Sequence, residues 1–359
     1  MKPKIKRIEF FDREKEKKEI LNMLETEPQL INFIHGPINS GKTALMTNLI
    51  ENLPDNYVVF YINLRGKSVV KYGDFIRVLF TIEEKGLLKK IKNIFTWILK
   101  HVTSAGEKTL YKYAGIPVDK GLLETFFKEK SNEDVFNYLE AYFKNISKHK
   151  TPVLIIDELQ VIGDLEINGK LIYKLFNFFI RLTKELHICH VFTLSSDSLF
   201  IENVYNEAML EGRANYILVD DFDEETTSKF LEKYNIIEKE QELVKKYFAG
   251  KPIYLADIIN TKFTGKDIKK AIEKNLKIRK GQIEEIVYTL KDEDEEMFKG
   301  CTSVLEKFKD KDNFDYLNVT KYVRFLVGKN IIFVNCAEKN IKAQSRINLI
   351  AIREILKEI

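Results

Sequence analysis

Two hydrophobic rhythms alternate along the first 220 residues. Short apolar runs appear at "LINFIH" (30–35), "NYVVFYINL" (56–64), "TPVLIIDELQ" (151–160), "HICHVFTLSSDS" (187–198) and "ANYILVDDF" (214–222). Such runs predict strands buried on both faces. Between them lie stretches with helical spacing, such as "FDREKEKKEILNMLE" (11–25), which places Ile20, Leu21 and Leu24 inward behind an Asp12 cap. Strands separated by helices predict an α/β fold, a parallel five-stranded sheet with helices on both faces.

Two regions depart from that alternation. Residues 67–150 are longer than one crossover helix needs, and "LLKKIKNIFTWILKHV" places Leu87, Ile91, Ile94, Phe95 and Ile98 on one face. They read as an inserted helical subdomain that docks a partner or packs on the sheet, with "SAGEKTLYKYAGIPVDKG" (104–121) as its loop. After residue 220 the strands give way to short helices, which predict a helical lid over 221–285 and a separate domain over 286–359. In the latter, "IIFVN" and "KAQSRINLI", joined by "CAEKN", read as the hairpin of a winged helix.

Composition sets few further bounds. The chain has 359 residues, 45% hydrophobic and 31% charged, as in soluble globular proteins. A formal charge of +4 does not by itself argue for nucleic acid. Cys189, Cys301 and Cys336 are odd in number and far apart, which excludes a disulfide framework or a CxxC metal site. On a strand His187 and Cys189 share one face and His190 takes the other, so "HICH" does not converge on an ion. The charged N-terminus lacks an apolar signal segment, and the apolar windows are too short to span a bilayer, so a cytoplasmic protein with no membrane span is expected.

The chemistry concentrates in "HGPINSGKTALMTNL". Gly36, Pro37, Ile38, Asn39, Ser40, Gly41, Lys42 and Thr43 fit GxxxxGK[ST], between a predicted strand and a helix that continues through Ala44. Glycines let a loop close around phosphate, and the helix directs its amides and dipole at the same anion. Lys42 is expected to reach the β and γ phosphates and Thr43 to hold Mg2+. Asp157 and Glu158 end a predicted strand, where ligands of open α/β sheets bind. Asp157 suits Mg2+ and Glu158 suits activation of water.

The order of "FFDREKEKKEIL", "GPINSGKT", "VLIIDELQ", "LSSDS", "GRANYILVDDFDEE" and "AGKPIYLADII" resembles the archaeal ATPase family of AAA+-like P-loop proteins, related to STAND ATPases and archaeal replication initiators. The resemblance covers roughly residues 8–260. It implies ATP as the nucleotide, and no Asn-Lys-x-Asp element for guanine is visible. It also implies that Ser195 or Ser196 monitors the γ-phosphate. Arg213 would contact that phosphate directly or from a neighbouring subunit, and Asn63 would restrain the catalytic glutamate. The segment containing Arg13 would line the adenine, and Pro252 would pack on the nucleotide. This chain departs from the usual forms in Asp12, where the family has glycine, and in "GKP".

Two functions follow as expectations: an Mg2+-dependent ATPase that drives motion of the lid and winged helix, or a slow ATP-gated switch acting on a protein partner or DNA. Glu158 favours turnover by water over phosphoryl transfer to a small acceptor. Lys321, Arg324, Lys329, Lys339, Lys342 and Arg346 are the candidate DNA contacts, and ATP could assemble copies of the chain.

Overall fold

The computed structural model describes residues 6–82, 112–113, 115–118, 120–129, 132–162, 170–197, 199–200 and 210–359. Its central sheet holds five long parallel strands: β1 (Ile31–His35), β2 (Tyr57–Asn63), β6 (Thr151–Asp157), β7 (His190–Ser195) and β8 (Ala214–Leu218), ordered β2-β6-β7-β1-β8. A two-residue strand, β4 (Lys112–Tyr113), extends the β2 edge. A pair of three-residue strands, β3 (Phe80–Ile82) and β5 (Ile116–Val118), lies apart from it. The second of these falls where the sequence suggested loop. The helix expected over 87–102 lies outside the described residues.

Alternation along each strand sorts side chains to two faces. Phe33, Phe60, Leu154 and Ile156 enter one core with helices α3 (Tyr72–Leu79), α4 (Lys120–Glu129), α5 (Asn132–Ser147) and α6 (Leu171–Ile180). Ile34, Val59, Val153, Ile155 and Phe192 enter the other with α1 (Glu14–Leu24) and α2 (Lys42–Glu51). Phe75, Phe126 and Phe143 of the 67–150 region are buried in the first core, so its described helices pack on the sheet. At α1 two expectations change. Leu21 is 38% exposed, and Arg13, not Asp12, stands at the N-cap with a left-handed φ of 74° and no side-chain cap.

The segment expected to form a lid comprises α7 (Glu224–Lys233), α8 (Glu238–Phe248) and α9 (Pro252–Phe263). It leads into α10 (Ile268–Glu293), an unbroken helix of 26 residues. Ile268 and Ile272 belong to the lid core, whereas Ile283 and Val287 belong to the C-terminal core. The boundary expected between 285 and 286 therefore falls inside one helix. The C-terminal unit adds α11 (Glu295–Glu306), β9 (Asn313–Asp315), α12 (Lys321–Gly328), β10 (Ile332–Asn335), β11 (Asn340–Ala343) and α13 (Arg346–Ile355). The hairpin is shorter than expected: Ser345 caps Asn348 N and starts a helix where the sequence suggested continued strand. Among the described residues no helix is long and apolar enough to cross a membrane.

Candidate functional site

Register aligns the polar strand ends. Asn63 pairs with Asp157, Asp157 with Leu194, and His35 with both Ser195 and Leu218. The 36–43 loop leaves β1 at this downstream edge and enters α2 through Gly41, which is left-handed at φ 98°. Gly36 is required by contact as well as by its φ of 152°: a Cβ there would lie 2.1 Å from the Val219 carbonyl oxygen. Arg13 buttresses the loop from beneath. Its guanidinium donates to the carbonyls of Ser40 and Asp220, each at 2.7 Å, and lies 4.6 Å from the Phe222 ring centroid.

Lys42 is buried and donates to the Gly36 and Pro37 carbonyls, both at 2.9 Å. Burial pushes its pKa down to about 8, opposed by Glu158 and Asp157. The Thr43 hydroxyl donates to Asp157 Oδ2 at 2.9 Å, and Tyr61 donates to the same oxygen at 2.6 Å. Burial and that carboxylate together push the Tyr61 phenol up. Ser40 Oγ is buried with no partner. A buried ammonium, an unpartnered hydroxyl and a loop opening a helix fit phosphate, and the Thr43–Asp157 oxygen pair fits Mg2+.

Glu158 follows with a left-handed φ of 62°. Arg65 Nη2 donates to its Oε1 and Gln160 Nε2 to its Oε2. The groups hydrogen-bonded to Glu158 are therefore Arg65 and Gln160, and Asn63 does not touch it. Asn63 instead accepts from Arg65 N at 2.8 Å and shapes the turn that presents that side chain. Ser195 donates to Gln160 Oε1 at 2.9 Å. Ser196 lines a cavity of about 550 Å³, bounded by Asn39, Arg65, Glu158 and Asp197 on one side and by Arg324, Phe333 and Gln344 on the other.

Arg213 lies elsewhere. It immediately precedes β8, whose Ala214 pairs with Ile31, and its carbonyl accepts from Ile31 N at 3.0 Å. That is the upstream edge, a five-residue strand or roughly 16 Å from the loop, so Arg213 does not reach a phosphate bound by its own chain. The Arg13 guanidinium itself is taken up by backbone carbonyls beside the loop.

The lid and C-terminal unit also touch the loop. Lys251, 2% exposed, makes an ion pair with Asp221 at 3.0 Å and donates to the Ile38 carbonyl at 3.1 Å. Burial lowers the Lys251 pKa, opposed by Asp221, and raises that of Asp221, opposed by Lys251. Gly250 admits this approach, because a Cβ there would lie 1.8 Å from the Phe222 carbonyl oxygen. Pro252 takes the first turn of α9, where its missing N–H is harmless. From the C-terminal unit, Lys342 pairs with Asp220. The Gln344 amide, oriented by its partners, accepts from Ile38 N at 2.8 Å.

The candidate DNA contacts are engaged within the chain. Lys321 pairs with Glu296, Arg346 pairs with Asp312, Lys339 lies over Tyr316, Lys329 lies over Phe325, and Arg324 faces the cavity. At "HICH" the strand starts only at His190, with His187 Nδ1 2.7 Å from the Pro28 carbonyl. Tyr61, Arg65, Gln160, Lys251 and Gln344 were missed by sequence reasoning. Of these Gln160, two residues beyond the acid pair, and Lys251, inside "GKP", stood close enough to a motif to signal themselves.

Residues 10–258 match a family described as an ATPase domain predominantly from Archaea. Residues 269–356 match another, described as the C-terminal domain of MJ1010-like uncharacterized ATP-binding proteins. The chain is 49% identical to the uncharacterized ATP-binding protein MJ1659 of Methanocaldococcus jannaschii, covering 98% of each chain. It is 44% identical to the uncharacterized ATP-binding protein PYRAB09480 of Pyrococcus abyssi, over 97% of this chain and 98% of that one. Among solved structures, the Walker-type ATPase PABY2304 of Pyrococcus abyssi superposes with a TM-score of 0.61 at 18% identity, over 96% of each chain. The ORC2 protein of Aeropyrum pernix superposes at 0.52 and 10% identity, over 98% of this chain and 94% of that one. These two likenesses concern the fold.

Proposed function

The chain belongs to the family of ATPase domains found predominantly in Archaea, and from that premise we propose that it binds ATP with Mg2+, hydrolyses it, and couples the reaction to movement of the lid and C-terminal unit. The observation that carries this reading is the Thr43–Asp157 hydrogen bond at the head of the loop, with Glu158 directly after Asp157. In this reading the 36–44 backbone and Lys42 hold the phosphates, while Thr43 and Asp157 hold Mg2+, which when bound neutralises charge developing on the phosphoryl oxygens. Glu158 orients a water and takes its proton as the water oxygen attacks the γ-phosphorus and ADP leaves. Ser195 stands beside Glu158 through Gln160. Arg213, remote from its own chain's loop, acts on the phosphate of a neighbouring chain in an ATP-dependent assembly.

A second reading, a slow ATP-gated switch, is favoured by the C-terminal unit seated on the loop through Gln344 and Lys342, with both Glu158 oxygens already bonded. In that reading the winged-helix surface meets DNA or a protein only after the unit leaves the loop, because Arg324 faces the cavity. The deciding experiment is Mg2+-ATP hydrolysis by the wild type, Lys42→Ala and Glu158→Gln, with and without duplex DNA. Turnover lost in both variants supports the ATPase. Tight ATP retention with no cleavage under any condition supports the switch.

A further inference from the structure

Gln160 occupies a position that neither general-base chemistry nor phosphate binding accounts for. Its Nε2 donates to Glu158 Oε2, and its Oε1 accepts from Ser195 Oγ at 2.9 Å. A planar amide bonded at both ends is one rigid unit, so the Ser195 position dictates where the donor meets Glu158. The chain of contacts continues beyond Ser195. Its Oγ accepts from Asp197 N at 3.0 Å, and Asp197 Oδ1 accepts from Leu199 N at 3.0 Å and Phe200 N at 3.1 Å. Leu199 is buried in the core of the C-terminal unit, with Ile283, Val287 and Leu326. The Glu158 carboxylate is thereby joined, through the two hydrogen bonds of the Gln160 amide and one capped turn, to the part of the molecule seated on the loop.

We propose that Gln160 is a positioning residue that holds the Glu158 carboxylate toward the cavity in register with Ser195, and through Leu199 makes that register depend on the seating of the C-terminal unit. This rests on the hydrolysis reading above. Without Gln160 the carboxylate keeps only the Arg65 contact, and its orientation toward water is lost while the phosphate loop is untouched. The effect belongs in kcat and not in nucleotide affinity.

The test uses the full chain as wild type, Gln160→Leu, Ser195→Ala and the double variant. It measures kcat and KM for Mg2+-ATP together with affinity for a non-hydrolysable ATP analogue. Expected are a fall in kcat of about ten-fold or more in Gln160→Leu, analogue affinity within about two-fold of wild type, and a double variant no slower than the slower single one. Gln160→Glu keeps the acceptor for Ser195 but loses the donor to Glu158, and should follow Gln160→Leu. Unchanged kcat in Gln160→Leu, or single effects that multiply in the double variant while wild type turns over, would overturn the relay alone. Wild-type turnover no higher than that of Glu158→Gln would overturn the hydrolysis reading and the relay with it.

Discussion

The two edges of the central sheet are built from the same strands and carry opposite kinds of polar group. At the upstream edge polar side chains are spent on backbone: Lys150 donates to the Asp55 carbonyl at 2.7 Å, Lys184 to that of Gly212 at 3.1 Å, and His187 lies 2.7 Å from that of Pro28. At the downstream edge Lys42, Arg13 and Lys251 also donate to carbonyls, but there side chains meet side chains as well, as in Thr43–Asp157, Tyr61–Asp157, Arg65–Glu158 and Ser195–Gln160. Groups bonded to carbonyls close turns, whereas clustered acids, hydroxyls and cations can exchange partners with a ligand. A parallel sheet gathers the second kind at one end because every strand runs the same way.

The sharpest way to break this contrast is Lys42→Ala at the downstream edge, which should lower ATP turnover about 100- to 1,000-fold in a coupled-enzyme assay. Glu158→Gln should cost about 100-fold in kcat with analogue binding retained, as measured by equilibrium titration. Lys251→Met tests the lid's share of that edge. Leaving the largely enclosed Asp221 without its partner should cost about 1 to 3 kcal/mol, read as a fall in the denaturant midpoint.

A smaller effect comes from His190 at the upstream edge, whose pKa burial pushes down to about 4. Its folded value lies below its unfolded value near 6.5, so the stability it contributes is complete above about pH 6.5 and is lost as pH falls toward 4, about 3 kcal/mol at most. Tm measured across that range should slope less in His190→Leu than in the wild type. His35, also pushed down to about 4 by burial with help from Lys42, contributes with the same sign. Smallest of all, Arg213→Ala should change turnover of the isolated chain by less than about two-fold. A large loss confined to ATP-assembled oligomers would place this arginine in a neighbour's site.

Much of the downstream edge was legible in sequence because local rules determine it. The GxxxxGK[ST] loop needs a strand before it and a helix after it, and "VLIID" must deliver Asp157 at the end of a buried strand. The position of Arg213 was legible too: a residue that precedes a parallel strand lies at the edge opposite to residues that follow one, which leaves a phosphate of a neighbouring chain as its target. Leu21 fits the helical period as well as its neighbours do, yet of this stripe only Ile20 and Leu24 enter the core beneath the sheet. Lys251, Gln344 and the pairing of Lys342 with Asp220 depend on how lid and C-terminal unit fold back on the loop. No periodicity encodes a contact across 122 residues. Asn63 and Arg65 lie between these extremes: the strand end was placed correctly, but which side chain near it would turn toward Glu158 depended on the geometry of one turn.

The continuous helix α10 carries a mechanical consequence. At 1.5 Å per residue its 26 residues span about 39 Å, with one end packed among the side chains of the preceding helices and the other inside the C-terminal core. A rod of that length is a lever arm: a tilt of about 10° at the lid end sweeps the far end through about 7 Å. That is more than the reach of the Gln344–Ile38 and Lys342–Asp220 bonds. If the helix tilts as one body when the loop binds a ligand, its length alone sets how far the C-terminal unit travels.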